Sequence, residues 1–165
     1  MAYWLAKSEP GVYSYADLER DGRTEWSGIH NAAALLYLRK MRPGDRMLLY
    51  HSGDERAAVG IARVASAPHP DAADDRGSWS VEVRPVRPLA RPVTLSELRA
   101  DPAFADFLLL RISRLSVMPV APALWTRILA RSAAGSSPTP ARSQGKKLGS
   151  RSNNRAAGAR KRGMT

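Results

Sequence analysis

Histidines and carboxylates together make acid–base pairs and metal centres, so they are weighed first. The chain has three histidines, His30, His51 and His69, and His51 is followed closely by Asp54 and Glu55. No pair of them has ligand spacing such as His-Glu-x-x-His, and His69 stands between Pro68 and Pro70 in a loop, so no metal site is expected. A serine hydrolase needs a nucleophile raised on a Gly-x-Ser-x-Gly turn, and none is present. Walker loops and the Gly-x-Gly-x-x-Gly fingerprint are missing too. The absence of cysteine excludes disulfides, thiolate ligands and a cysteine nucleophile. No cofactor is expected. A general base at His51 or His30 stays open as the enzymatic alternative, although no assembled acid–base pair is visible.

What remains is a set suited to a planar ligand. In Trp26-Ser27-Gly28-Ile29-His30-Asn31, the indole offers a large polarisable face, and Ser27 and the backbone at Gly28 offer donors and acceptors. His30 and Asn31 stand where a helix begins, a position that favours anions. Tyr50, His51 and Ser52 end a strand that can approach them. A tryptophan beside a glycine is more often a core residue, and residue types alone do not separate the two readings.

The positioning elements follow from pattern. AYWLAK reads as a buried strand that stops before Pro10. Ser14 with Asp17 is a capping box for a short helix, ended at Gly22. Asn31 caps AAALLYLRKM, which puts Ala34, Leu38 and Met41 on one face. RMLLYHS and AVGIARVAS are strands joined by a hairpin loop at residues 53–56, and SVEVRPV alternates like a strand with one wet face. Thr94 with Glu97 caps another helix, LSVMPV is a late strand, and Pro122 opens a final helix that packs through Leu124, Trp125, Ile128 and Leu129. Strands this close together leave no room for helical crossovers, so an antiparallel, partly closed sheet is expected.

The 165 residues suit one domain with a core. Neither a signal peptide nor an apolar run of about eighteen residues is seen, so a soluble, cytoplasmic protein that does not engage membranes is expected. Of the net charge of +11, eight units lie beyond residue 131, among them Lys146, Lys147, Arg160, Lys161 and Arg162. Residues 132–165 are rich in Ser, Gly, Pro and Arg, and read as a disordered basic tail that either holds phosphates or simply aids solubility. Residues 1–131 form the domain, and a monomer is favoured.

Ordered blocks across residues 2–131 carry a resemblance. They are Tyr3-Trp4-Leu5-Ala6-Lys7-Ser8-Glu9-Pro10, Asp21-Gly22-Arg23-Thr24, Trp26-x-Gly28-Ile29-His30-Asn31, Leu38-Arg39-x-Met41-x-x-Gly44-Asp45, Tyr50-His51-Ser52, Val59-Gly60-Ile61, Arg91-Pro92-Val93-Thr94-Leu95 and Arg114-Leu115-Ser116-Val117-Met118-Pro119-Val120. Together they resemble the EVE domain family.

The resemblance implies an α+β, PUA-like fold, a curved and partly closed β-barrel flanked by short helices. It also implies kinship with YTH domains, which read a methylated adenine in RNA; Lys7-Ser8, Trp26-Ser27 and Gly60-Ile61-Ala62-Arg63 match their more distant pattern. By that carry-over the chain is a non-catalytic module that takes a modified nucleobase of DNA or RNA, of 5-methylcytosine or N6-methyladenine type. Trp26 becomes the stacking face, and Lys7, Ser8, Ser27, Gly28, His30, Asn31, His51 and Ser52 complete the pocket, with Trp79 as a second wall or a packed strand residue. Arg111 and Arg114 stand where a YTH arginine meets phosphate.

This chain departs from the family at His30, where arginine is frequent, and at Ala32, Ala33, Leu35 and Leu36, where polar pairs are common. The loop from Ala67 to Gly77 is also shorter than in many members. These departures keep alive a third reading, a scaffold whose pocket is vestigial.

Overall fold

The computed structural model describes residues 1–134. Strand β1 (Tyr3–Ser8) leads to helix α1 (Tyr15–Asp21), the short β2 (Thr24–Trp26), α2 (Ala32–Leu38), and the hairpin β3 (Arg46–His51) and β4 (Ala57–Val64). Then come β5 (His69–Pro70), the long β6 (Trp79–Thr94), α3 (Leu95–Arg99), a 3-10 turn over Pro102–Phe104, α4 (Leu108–Arg111), β7 (Val117–Pro119) and α5 (Pro122–Ala134). The sheet order is β2-β6-β4-β3-β1-β7, with β5 added against β6. The result is a mixed α+β fold, a curled half-barrel with short helices around it.

The caps act as the sequence requires. Ser14 and Asp17 form a reciprocal capping box on α1, and Gly22 ends it with a left-handed φ of 78°. Asn31 accepts the Ala34 N–H at 2.9 Å, and Thr94 with Glu97 repeats the capping box on α3. At the turn before β3, buried Asp45 accepts from the Ala2 N–H, the Trp4 indole and the Arg42 N–H at 2.9–3.0 Å. One carboxylate thereby pins the start of β1 to the start of β3.

Two features differ from the sequence expectation. The pairing of β1 with β3 is parallel, while the other five pairings are antiparallel. The 37-residue connection between them holds α1, β2 and α2, long enough for a crossover that adjacent strand signals concealed. Secondly, β6 continues to Thr94 through Pro85, Pro88 and Pro92. Its ladder with β4 shifts register between Ala58 and Gly60 and between Ile61 and Ala62, and the prolines occupy this bent, bulged stretch where a full set of N–H donors is not needed.

Leu5, Leu18, Leu38, Met47, Leu48, Val83 and Ile128 are fully buried, the consecutive Met47 and Leu48 on opposite faces of β3. Tyr15 enters the core from α1, its hydroxyl donating to the Ile61 carbonyl at 2.7 Å. The ring lies so close to β4 that a Cβ on Gly60 would sit 2.5 Å from it. Helix α5 runs past residue 131 to Ala134. Ser132, assigned to the tail, lies in the last turn of α5, where its Oγ accepts the Arg91 N–H at 3.0 Å and donates to the Arg91 carbonyl at 2.8 Å. Composition counted it with a serine-rich run, but its hydroxyl completes an edge of β6. The remainder of the expected tail, with Lys146, Lys147, Arg160, Lys161 and Arg162, lies outside the described residues.

Candidate nucleic-acid interface

The parallel register of β1 and β3 sets Lys7 beside Tyr50 and Ser8 beside His51, and the Ser52 N–H donates to the Ser8 carbonyl at 3.0 Å. Four of the expected site residues therefore converge at one end of two strands. Most of their polar atoms are occupied. Lys7 Nζ donates to the Ser113 carbonyl at 2.9 Å, and partial burial lowers its pKa. The Ser8 hydroxyl donates to the Tyr13 carbonyl.

His51 is buried, and its Nε2 accepts the backbone N–H of Tyr15 at 3.0 Å. That bond leaves the proton on Nδ1, which faces Glu55 Oε1 at 2.8 Å. Arg114 is exposed in the loop entering β7, one residue from the carbonyl that holds Lys7. Arg111 is exposed too, 3.3 Å from Asp106.

The second group gathers around the end of β2. Trp26 opposes Val81 of β6 and is 4% exposed, packed within the core. Ser27 is half-buried, and Gly28 turns the chain with a φ of 75°, which an L side chain adopts only under strain. Ser78 Oγ donates to the Ile29 carbonyl at 2.9 Å. His30 is exposed, its Nε2 bonded to Asp74 Oδ2 and its Nδ1 3.0 Å from an Arg76 nitrogen. Asp74 is held below the usual carboxylate range, first by the Arg76 N–H and then by His30. A cavity of about 270 Å³ opens here, lined by Ile29, His30, Leu35, Arg76 and Ser78. It falls just under the usual range for drug-sized ligands, about 300–1,000 Å³, and suits something smaller, such as a single base.

Trp79 lies half-buried at the start of β6, with the Arg39 guanidinium 4.2 Å from the centre of its ring. His69, far from the other histidines in role, bonds Glu25 at 2.9 Å. Among the described residues, no three His, Asp or Glu side chains are grouped to hold a metal ion.

The two groups are tied through α1 rather than by direct bonds. Ser8 bonds Tyr13, Tyr13 bonds Asp21 at 2.9 Å, and β2 starts three residues later. Reading the sequence missed Asp74, Arg76 and Ser78. The run Asp74-Asp75-Arg76-Gly77-Ser78 is polar, and nothing local shows that it folds onto His30.

The EVE domain model matches residues 2–131, most of the chain. The chain belongs to the EVE domain family. A protein of Rhodopseudomonas palustris solved by NMR is 38% identical, with a TM-score of 0.77 over 81% of this chain and 94% of the other. Human thymocyte nuclear protein 1 is 30% identical, over 60% of this chain and 56% of the relative. This EVE chain therefore spans little more than half the length of the curated relatives it matches. A crystal structure of that human protein in complex with 5-methylcytosine-containing DNA shares the fold, with a TM-score of 0.74 at 24% identity over 80% of this chain and 98% of the other. Among the described residues, no helix is long and apolar enough to cross a membrane.

Proposed function

We propose that this EVE domain is a non-catalytic reader that takes a modified nucleobase, of 5-methylcytosine type before N6-methyladenine type, out of a DNA or RNA strand. The observation that carries the reading is the crystal structure of the human relative with 5-methylcytosine-containing DNA, on the same fold. The cavity beside Ile29 and His30 supports it, since it adjoins the segment led by Trp26 and has two apolar walls, Ile29 and Leu35, with Ser78 and Arg76 as polar rims.

Extruding a base costs a few kcal/mol, which stacking of about 1–3 kcal/mol and edge hydrogen bonds must offset. A methyl group contributes only about 0.8 kcal/mol, so selectivity rests on close fit. Trp26 is 4% exposed, so a base that stacks on it displaces its cover. On either side of Trp26 along the chain, Ser80 and His69 bond Glu25, Ser78 bonds the Ile29 carbonyl, and Asp74 and Arg76 bond His30.

The state of His51 argues against the enzymatic alternative. A general base needs a free lone pair, and the lone pair on Nε2 is taken by a backbone amide. His30 is the more accessible histidine, already paired with Asp74 and Arg76.

The test is a fluorescence titration of the whole chain with short oligonucleotides, single- and double-stranded, DNA and RNA. Each carries cytosine, 5-methylcytosine, 5-hydroxymethylcytosine, adenine or N6-methyladenine at one position. Preference for one modified base, lost in Trp26→Ala but retained in part by Trp26→Phe, is the expected result. Equal affinity for all of them would overturn the reading and leave the vestigial-pocket scaffold.

A further inference from the structure

One face of the sheet carries, at its rim, a row of arginines that nothing in the base pocket requires. Arg46 of β3 opposes Arg63 of β4, and Arg63 opposes Arg84 of β6. Thr24 of β2 opposes Val83, which places Arg23 beside Arg84 at the next position. Arg46, Arg63 and Arg84 therefore stand at one register level on three neighbouring strands, and Arg23, just before β2, continues the row. Arg46, Arg63 and Arg84 are half-buried and Arg23 is exposed, on the face opposite their fully buried chain neighbours Met47, Val64 and Val83.

The row is weakly neutralised. Glu82 takes Arg84 at 2.7 Å and reaches Arg23 at 3.7 Å. Among the described residues no carboxylate forms an ion pair with Arg46 or Arg63, although the field of Arg63 is felt at Glu82. Like charges directly opposite one another destabilise a sheet. With strands about 4.8 Å apart, four side by side span roughly 14 Å of concentrated positive charge. Packing gives no reason for such a row, and a regularly charged polyanion does.

We infer that Arg23, Arg46, Arg63 and Arg84 form a track for the phosphate backbone of a nucleic acid. Guanidinium forks suit phosphate oxygens, and their spacing suits a linear series of charges better than a single small anion. β2 links this track to the proposed pocket, with Arg23 just before the strand and Trp26 at its far end, buried on the inner side. The track thus rests on the reading above and extends it, since it would hold the strand whose base enters near Trp26.

The experiment compares two full-length double variants that lose equal charge, Arg46→Gln with Arg63→Gln and Arg20→Gln with Arg99→Gln, against duplexes with and without the preferred modified base. Each phosphate contact contributes about 0.9 to the slope of log affinity against log salt. The first pair should lower that slope by about 2 and weaken unmodified duplex at least about tenfold at low salt. The second pair should change it by only a few tenths.

Equal effects in both pairs, or an unchanged slope in the first, would overturn the track. Thermal melting of Arg46→Gln with Arg63→Gln should match or exceed the parent, because repulsion is relieved; should the pair fail to fold, Arg63→Gln alone carries the slope test. The ratio of modified to unmodified affinity separates the two ideas. A parent ratio near one with a fallen slope sinks the base pocket and keeps the track, whereas a high ratio with an unmoved slope does the reverse.

Discussion

The backbone N–H of Tyr15 donates to Nε2 of His51 at 3.0 Å, joining the first turn of α1 to the last residue of β3. This bond makes His51 a structural acceptor. Replacing it by alanine leaves a buried amide unpaired, at a cost of about 1–3 kcal/mol. Urea denaturation of His51→Ala should show that loss, and undiminished stability would mean that water or another group takes the amide.

Gly60 gives the closest constraint on α1. The Tyr15 ring occupies the space a Cβ would need and is itself fixed by its bond to the Ile61 carbonyl. Gly60→Ala should lose about 1–3 kcal/mol by overpacking. Much of that loss should disappear in the double variant Gly60→Ala with Tyr15→Leu, measured as a coupling energy. Simple additivity would show that β4 yields instead.

Trp26 is both proposed ligand platform and core residue. Trp26→Ala should therefore cost about 3–5 kcal/mol of stability as well as base selectivity. Trp26→Phe should keep most of the stability and weaken binding. Calorimetric melting run beside the titrations distinguishes the losses, and a phenylalanine variant with full selectivity would show that the indole is not the stacking face.

Acid should loosen the attachment of α3 and α5. Arg91 holds the Glu97 carboxyl down to about 2 from an ordinary 4.5, and Arg127 holds Asp101 below the usual range. Both pKa values are depressed by folding, so their contribution is complete above the ordinary value. It is lost as pH falls from about 4.5 towards 2, where the unfolded chain binds protons first. Urea midpoints should fall across that window and fall less in Glu97→Gln. Identical pH profiles would remove Glu97 from the account.

Local signals were legible wherever one short stretch contains its own explanation. The capping boxes at Ser14 and Thr94, the Asn31 cap, the β3–β4 hairpin and the proline opening α5 are of this kind. The parallel crossover was not, because the partner of β1 is chosen by contacts 43 residues away. At the site, the sequence marked Trp26 and His30 but not Asp74, Arg76 or Ser78, whose roles arise only when the loop meets Ile29 and His30. Ser132 shows the same limit, since a serine in a polar run looks alike whether it is solvated or bonded to Arg91.

The place of β1 between β3 and β7 has a kinetic meaning. As the chain is synthesised, β1 gains one neighbour after some forty residues and the other only when Val117–Pro119 arrives. One of its edges stays open while nearly the whole domain is synthesised, so closing the sheet depends on contacts far apart in sequence, which fold slowly. The nascent chain must keep Trp4, Leu5 and Ala6 from pairing elsewhere until β7 emerges.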